Sequence, residues 1–272
     1  MPEWAVECNQ LSDIGRVRRH NEDYAGCFLP RSLQLLASHG CMYVLADGVG
    51  GAAAGEVASQ YTVKRVIHNY FRDGIRSPSR RLRRAIEAAN TDIFVHNSER
   101  RDHREMATTL VAAVIRNDRL FVANVGDSRA YLINGEAIVQ ITRDHSLVAE
   151  MVSEGTITTE QALTHPYRNV ILRSVGPHAK VKIDLFCRHI KPCQTLLLCS
   201  DGLTHRVMDH EIAQIVTANT AADATQRLVQ LANERGGQDN ITVSITRILE
   251  DEFTRGSRTD EQLPPNPSWE DF

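Results

Sequence analysis

Several features of secreted, membrane-spanning or metal-stapled proteins are missing from this sequence of 272 residues. No apolar run reaches the ~18 residues that a membrane span needs. The first residues, Met1-Pro2-Glu3-Trp4, lack the basic and apolar regions of a secretory signal. The six cysteines form no Cys-x-x-Cys pair, and we interpret them as reduced thiols in the core or on the surface. We therefore expect a cytoplasmic protein that does not bind membranes.

The sequence also lacks a strong excess of charge of either sign. It has 31 Lys and Arg residues against 34 Asp and Glu residues, a formal net charge of −3. The charge distribution therefore gives no indication of nucleic acid as a partner. The 42% hydrophobic content is typical of a globular protein, which we expect to be a monomer.

The chain divides most simply into one domain and a tail. Residues 1–248 alternate apolar runs with turns and contain no internal linker. Residues 249–272 are acidic, contain three prolines and have few apolar side chains, so we predict that this tail is disordered. The alternative is that Trp269 and Phe272 dock the tail onto the domain.

Hydrophobic patterning predicts a mixed α+β fold. Three turn signals between Val114 and Ile141 separate strands too closely for helical crossovers, which predicts an antiparallel meander there. Because strands and helices are partly segregated, we expect α+β layers around two packed sheets. The predicted strands are Met42 to Ala46, Thr109 to Ile115, Arg119 to Val125, Ala130 to Ile133, Thr195 to Cys199 and Ile241 to Ile245; the predicted helices are Ala53 to Phe71, Arg80 to His96, Ser146 to Glu154, Asp209 to Val216 and Ala221 to Glu234.

Four aspartates border four apolar strands. Asp47, Asp127 and Asp201 follow predicted strands, and Asp239 precedes one. A single Asp-Gly of this kind indicates only a turn. Four carboxylates that converged at one end of a sandwich would repel each other unless a divalent cation lay among them. Oxygen ligands select magnesium, manganese or calcium over zinc.

A polar segment near the start combines a guanidinium with acids. Arg18 could bind a phosphate through two parallel hydrogen bonds, and Glu22 and Asp23 could hold metal-bound water. Taken alone, the segment is better explained as a polar turn before a strand at Tyr24 to Phe28.

A Gly-x-Gly-x-x-Ala sequence from Gly48 to Ala53 suggests a different class, a dinucleotide-binding enzyme. That motif requires a second parallel strand that ends in an acid near Asp73. The turn-rich segment from Arg72 to Ser79 contains no apolar run, so the βαβ unit is not predicted and this interpretation is rejected.

The motifs together resemble the metal-dependent protein phosphatases of the type 2C (PPM) family, in its bacterial branch. The resemblance implies a four-layer α-β-β-α sandwich, in which two central antiparallel sheets are flanked by helices. The matching blocks, in family order, are Gly15 to Asp23, Ala46 to Gly51, Ala107 to Leu110, Val125 to Arg129, Asp144 to Ser146, Ser200 to Gly202 and Gly237 to Asn240.

The resemblance implies catalytic roles for Asp47, Asp201, Asp239 and Arg18. The three aspartates hold the first of two Mn²⁺ or Mg²⁺ ions, and Asp47 bridges to the second. Arg18 matches the arginine that binds the phosphate.

The remaining implied site residues serve the other metals or orient the ligands. The carbonyl of Gly48, and Glu22 through water, serve the second metal, and Asp127 with Asp201 holds a possible third. Asp23 and Asn240 are implied to orient the metal ligands. A purely local role for these two residues in a turn or cap is an equal alternative.

The implied activity is hydrolysis of phosphoserine and phosphothreonine on proteins by direct attack of a water that two metals share. The implied partners are phosphorylated proteins, either a cognate Ser/Thr kinase or its substrates. No Cys-x5-Arg loop is present, so a cysteine-dependent phosphatase is not expected. The alternative is a catalytically dead domain of the same fold that only binds.

Two departures from the family leave the general acid unassigned. Val49 and Ala52 stand where relatives carry a histidine, and the candidates that remain are His20, His145 and His165. The resemblance also places a flap beside the active site between Thr142 and Arg173, where the sequence predicts a loop with two short helices.

Overall fold

The computed structural model describes residues 4–50, 53–99, 105–250 and 265–271. These residues form eleven strands and eight α-helices. The strands are β1 (Trp4–Asp13), β2 (Asp23–Phe28), β3 (Cys41–Val49), β4 (Ala107–Thr108), β5 (Leu110–Arg116), β6 (Arg119–Val125), β7 (Arg129–Asn134), β8 (Ala137–Gln140), β9 (Asp184–His189), β10 (Thr195–Cys199) and β11 (Ile241–Glu250). The helices are α1 (Leu33–His39), α2 (Ala53–Arg72), α3 (Pro78–Glu99), α4 (Leu147–Ser153), α5 (Thr159–Thr164), α6 (Asp201–Thr204), α7 (Asp209–Ala218) and α8 (Ala221–Glu234).

The strands form two antiparallel sheets. The first sheet has the order β1-β11-β10-β7-β8, and the second has the order β2-β3-β5-β6-β9, with β4 paired to β3. An apolar layer lies between the sheets, to which Tyr43 and Val111 contribute from the second sheet and Leu198 and Ile248 from the first. These side chains are fully or almost fully buried, as expected for sheets that pack face to face.

Helices cover the outer face of each sheet. Helices α2 and α3 pack on the second sheet through buried side chains such as Val66 and Ile86. Helices α7 and α8 pack on the first sheet through side chains such as Ile212 and Leu228. This arrangement confirms the predicted four-layer α-β-β-α sandwich. Among the described helices, none is both long enough and apolar enough to cross a membrane.

The predicted antiparallel meander is wrong in one respect. Strands β5 and β6 form a hairpin in the second sheet, and β7 and β8 form a hairpin in the first. The chain therefore changes sheets at Gly126-Asp127-Ser128 instead of continuing to an adjacent strand. Gly126 has φ of 108°, and a Cβ at this position would lie 2.6 Å from Cβ of Thr109, so only glycine fits the crossing.

The predicted strands and long helices are all present, and their ends differ by a few residues. The prediction missed β1, β4, β9, α1 and α6. Strand β1 contains Glu, Asn, Gln, Ser and Asp, and β9 contains Asp, Arg and His, so neither has a β-branched apolar run. These strands lie at sheet edges, where one side of the strand is left without a neighbour.

The tail is described only at residues 265–271, and its predicted disorder stays a prediction. Residues 251–264 lie outside the described residues, but Trp269 stacks between Tyr61 of α2, at 3.9 Å between ring centroids, and His96 of α3, at 4.1 Å. Arg65 donates a hydrogen bond to Asn266 in the same segment. The alternative contact through Trp269 is therefore present, while Phe272 lies outside the described residues. The division at residue 248 stays a prediction, and β11 continues to Glu250.

Candidate metal centre

The pairing of β10 with β11 brings two of the predicted aspartates to one end of the first sheet. Cys199, the last residue of β10, lies opposite Val243 of β11. Asp201 follows β10 and Asp239 precedes β11, so an antiparallel pair places both at the same end.

The second sheet contributes two more carboxylates at this end. Asp23 of β2 is the cross-strand partner of Asp47 of β3. Like charges directly opposite each other are unfavourable. The hydroxyl of Ser200, in the first sheet's loop, donates a 2.7 Å hydrogen bond to Asp23 and so joins the two sheets beside the carboxylates.

The crossing between the sheets positions Asp127. Its neighbour Ser128 is buried and shares a 2.8 Å hydrogen bond with Thr109. The amide of Gly126 donates to Nδ1 of His145 at 3.1 Å, which fixes the crossing from the other side. Asp127 is buried, and Asp201 raises its pKa further, so the two carboxyls interact.

Burial and mutual repulsion raise the pKa values of Asp23, Asp47, Asp127 and Asp201, which together with Asp239 we call the carboxylate cluster. Burial is the main cause for Asp47, Asp127 and Asp201, whose pKa values all lie above the usual range, and neighbouring carboxylates add to the shift. For Asp23 burial raises the pKa to about 7, although the hydroxyls of Ser200 and Thr242 oppose the shift. The fold thus holds several carboxyls where their charges are poorly compensated by the protein.

The donor set fits hard divalent cations. Within the described residues, one buried oxygen of each of Asp23, Asp127 and Asp201 has no hydrogen-bond partner. Buried polar atoms without partners are rare in proteins, and oxygen atoms of this kind are the ligands that Mg²⁺ and Mn²⁺ prefer.

The carboxylates are neighbours but do not form a closed ligand set. In the part of the chain that the structure describes, no three His, Cys, Asp or Glu side chains are arranged to hold one ion. Asp239 instead accepts a 2.8 Å hydrogen bond from Arg18, and Asp201 lies 3.5 Å from Nδ1 of His205. Like charges favour such separation, so binding of a cation would require rotation of these side chains.

Arg18 lines an open cleft next to the carboxylates. The cleft has a volume of about 560 Å³, and its walls come from the loop at Val17 and Arg18, the predicted flap and the loop at Asp239. The flap contains the two predicted short helices, α4 and α5, and contributes Leu163 and Arg168 to the cleft. Nearly half of the Arg18 side chain (47%) is exposed, so it is free to reorient towards a bound anion.

Glu22 and Gly48 lie side by side. The amide of Gly48 donates a 3.0 Å hydrogen bond to the carbonyl of Glu22. The Glu22 side chain passes over Gly55, where an added Cβ would lie 2.0 Å from its Oε2. A larger residue at position 55 would displace this carboxylate.

Asn240 fixes the segment that carries Arg18 and Glu22. Its Oδ1 accepts from the amide of Glu22 at 2.8 Å, and its Nδ2 donates to the carbonyls of Ile14 and His20 at 2.9 and 3.0 Å. These partners lie more than 200 residues away in the sequence. The contacts are therefore not those of a local cap or turn.

The histidines are arranged differently from the prediction. His145 is buried, and its Nε2 lies 3.0 Å from Arg173 and 3.2 Å from Asp184, which makes it a structural residue. His20 and His165 do not line the cleft, whereas His205 does. The prediction missed His205, which its i+4 spacing from Asp201 on a helix could have revealed.

A second group of charged residues lies beside the carboxylates, and we call it the arginine cluster. Arg129 binds both oxygens of Asp144 at 2.7–3.1 Å and donates to the hydroxyl of Tyr131 at 2.9 Å. Tyr131 in turn donates to Asp209 at 3.1 Å, and Gln140 donates to Asp144 at 2.8 Å. Each charged member of this cluster has a partner.

Comparison with known proteins gives the same family along almost the whole chain. The serine/threonine phosphatase stp of Listeria monocytogenes is 37% identical over 253 residues, which is 91% of this chain and 96% of that protein. The crystal structure of Stp1 from Staphylococcus aureus has a TM-score of 0.81 at 36% identity and covers 89% of this chain and 95% of its own.

A structure of the catalytic domain of the phosphatase PstP in complex with two manganese ions has a TM-score of 0.78 at 33% identity. It covers 90% of this chain and 99% of its own. The family model described as Protein phosphatase 2C matches residues 20–249. The chain therefore belongs to the protein phosphatase 2C family.

Proposed function

We propose that this protein is a metal-dependent serine/threonine phosphatase that removes phosphate from phosphoserine and phosphothreonine on other proteins. The observation that carries this proposal is the cluster of carboxyls with raised pKa values and unpartnered buried oxygens beside an arginine-lined cleft. Family membership supports it, because the named relatives are serine/threonine phosphatases.

The metal ligands that we propose are the same as those predicted from the sequence. Asp47, Asp201 and Asp239 would hold the first Mn²⁺ or Mg²⁺ ion. Asp47 would also reach the second ion, together with the carbonyl of Gly48, and Glu22 would act on it through water. A third ion would bind Asp127 and Asp201. When bound, such ions lower the pKa of a water molecule and offset charge on the phosphoryl oxygens.

Asp23 and Asn240 act as positioning residues in this proposal. Asp23 is hydrogen-bonded across the two sheets through Ser200 and lies opposite Asp47. Asn240 holds the backbone of Glu22. Neither residue needs to touch the substrate, and both keep the ligand-bearing segments in place.

Arg18 binds the phosphate of the substrate. In the described conformation it pairs with Asp239, and that pair is partly exposed. If Asp239 turns to a metal ion, the guanidinium loses this partner and can donate two parallel hydrogen bonds to a phosphate. The same carboxylate would then control both the metal and the anion.

The open cleft fits a phosphorylated segment of another protein. Its exposed Val17 and the flap residues leave room for peptide on both sides of Arg18. We infer that the partners are phosphorylated proteins in the cytoplasm, namely a cognate Ser/Thr kinase or its substrates, and that the phosphatase acts as a monomer.

The experiment is hydrolysis of p-nitrophenyl phosphate and of matched phosphothreonine and phosphotyrosine peptides by the full chain. We expect activity with Mn²⁺ or Mg²⁺, loss of activity after exhaustive chelation, and a preference for the phosphothreonine peptide. Full activity in the chelated protein would contradict metal dependence. Equal hydrolysis of both peptides would contradict the substrate class, and absence of turnover with every metal would favour the binding-only alternative.

A further inference from the structure

Two edge strands of different sheets meet on one side of the sandwich. Strand β1 is the edge of the first sheet and β2 is the edge of the second, and residues 14–22 connect them. The two strands contact each other although they share no ladder of backbone hydrogen bonds. Side chains at this edge therefore meet across the junction of the two sheets.

The side chains that meet follow an alternating pattern. Near the connecting segment, Asn21 donates a 2.8 Å hydrogen bond to Ser12. Further along, Gln10 and Ala25 line one groove. Since alternate residues of a strand share a face, the next residues on this face are Cys8 and Cys27. Their side chains are close enough to interact, since a side-chain hydrogen bond with Cys27 acts on the Cys8 thiol.

The environment of this pair favours chemistry at sulfur. Cys27 is exposed and Cys8 is partly exposed, so small solutes reach them. The hydrogen bond with Cys27 is the main cause of a lowered pKa at Cys8; the hydroxyls of Thr246 and Ser244 add to it and burial opposes it. A thiolate is the reactive form of cysteine, and a low pKa with solvent access marks redox-active thiols.

We propose that Cys8 and Cys27 are a redox pair that a peroxide converts to an intramolecular disulfide, joining the two sheets at this edge. In the first step, the Cys8 thiolate attacks one oxygen of hydrogen peroxide, the O–O bond breaks, and the hydroxide released takes a proton to give water. Cys8 is then a sulfenic acid.

In the second step, the Cys27 sulfur attacks the Cys8 sulfur. The S–S bond forms, the S–O bond breaks, and the departing hydroxide takes the proton of Cys27 and leaves as water. Overall two thiols are oxidised and one peroxide is reduced to two waters. A dithiol such as dithiothreitol reverses the reaction by thiol–disulfide exchange.

The disulfide would affect the stability of the fold more than the hydrolysis of phosphate esters. Cys27 lies four residues beyond Asp23 in an extended strand, which puts it about 13 Å from the carboxylates. The link would close the chain from Cys8 to Cys27 into a loop, and such links stabilise mainly by restricting the unfolded chain. We therefore expect the melting temperature of the full chain to rise by roughly 5 °C while turnover is unchanged.

The test is titration of the full chain with hydrogen peroxide in magnesium buffer, followed by thiol counting, peptide mapping and thermal melts. We expect two of the six thiols to be lost first, recovery of a peptide that links Cys8 to Cys27, and reversal by dithiothreitol. Cys27→Ser should leave Cys8 as a sulfenic acid that dimedone traps, and should abolish the rise in melting temperature. Cys187→Ser, which removes an exposed thiol of β9, is the matched control and should behave like the parent.

Several outcomes would overturn the proposal. Buried Cys41 is a competing thiol, because Tyr43 interacts electrostatically with the thiols of Cys8, Cys27 and Cys41. A link through Cys41, a disulfide between two chains, or faster oxidation of Cys187 than of Cys8 would each exclude the pair. A linked Cys8–Cys27 peptide without any rise in melting temperature would exclude the stabilising role.

Discussion

The carboxylate cluster and the arginine cluster lie at the same end of the molecule and differ in how their buried charges are compensated. Both place charged side chains beneath the surface. In the arginine cluster, Asp144 is held by Arg129 and Gln140, and every charge has a partner from the chain itself. In the carboxylate cluster, Asp47 has mainly other carboxylates as electrostatic neighbours, and their charges raise its pKa beyond the effect of burial.

The difference separates a structural charge network from a ligand site. A buried carboxylate that a guanidinium satisfies contributes to the fold and has little capacity to bind anything else. A group of carboxylates without such a partner is unfavourable until a cation arrives, and the binding free energy of the cation then includes relief of that repulsion. Sequence proximity does not distinguish them, because Asp127 and Arg129 are two residues apart.

The largest expected effect that tests this comparison is the loss of turnover in the Asp47→Asn variant. Because Asp47 is the proposed bridge between metal ions, we expect kcat for p-nitrophenyl phosphate to fall by about two to three orders of magnitude, as for other groups that stabilise charge in a transition state. The measurement is steady-state kinetics at saturating Mn²⁺. The matched control is Asp118→Asn in an exposed turn, which should retain full turnover. Parent-like kcat in Asp47→Asn would remove this residue from the site.

Removal of the Arg129 guanidinium from the arginine cluster should chiefly lower the free energy of unfolding. Arg129→Met leaves Asp144 without its main partner, and breaking a buried ion pair costs about 3 kcal/mol. Urea unfolding of the chelated protein measures this loss. Arg119→Met, at an exposed position of β6, is the control and should change the unfolding free energy by less than about 0.5 kcal/mol. Similar losses in both variants would show that Arg129 is not the centre of a buried network.

The pH dependence of the chelated protein should reveal the raised carboxyl pKa values. The pKa of Asp23 is about 7 in the folded protein and 3.8 in the unfolded chain, so the folded state takes up protons first as the pH falls. The free energy of unfolding should therefore increase from pH 8 to pH 6.5, with a slope of at most about 1.4 kcal/mol per pH unit for one proton. Saturating Mg²⁺ should flatten this slope, since a bound cation keeps the carboxylates ionised.

Below about pH 6.5 a second effect opposes the first. Burial lowers the pKa of His39 and His145, so the unfolded chain gains protons at these residues before the folded protein does. Urea unfolding at several pH values gives the free energy of unfolding as a function of pH, once with chelator and once with Mg²⁺. A chelated protein whose stability falls steadily from pH 8 to pH 6.5 would contradict the assignment of raised carboxyl pKa values.

The smallest expected effect concerns Asp239, the carboxylate that already pairs with the Arg18 guanidinium. Asp239→Asn removes repulsion among the carboxylates but also removes the partly exposed pair with Arg18, which contributes about 0.5 kcal/mol. In chelator we therefore expect the melting curve to match the parent closely. With Mn²⁺ the parent should gain more than the variant, because the variant has lost a proposed ligand. An equal gain from Mn²⁺ would make Asp239 a structural turn residue.

The chemistry of the site was more predictable than the way in which the chain builds it. Asp201 follows one strongly apolar strand, Asp239 precedes another, and Asp47 lies near the end of a third, so the local pattern predicted their placement. The sheet change at Gly126 did not, because Gly-Asp-Ser between two strands fits a simple hairpin equally well. It depends on contacts with Thr109 and His145 that are distant in the sequence.

The missed features share this dependence on distant contacts. Strand β1 is an edge strand that is stabilised by β11, and its own residues have weak strand preference. The three hydrogen bonds of Asn240 connect the start of the chain to its last strand, which no local motif contains. His205 becomes a cleft residue only because helix α6 begins at Asp201.

The pairing of β1 with β11 also sets the order in which the protein can be completed during synthesis. In the described sheet, β1 pairs only with β11, from Trp4 opposite Glu250 to Asp13 opposite Ile241. Strand β1 therefore cannot pair until β11, more than 200 residues later in the sequence, has been made, and such long-range pairing makes folding slow. Asp239 and Asn240 directly precede β11. The proposed ligand set is therefore complete only when the strand that pairs with β1 is made.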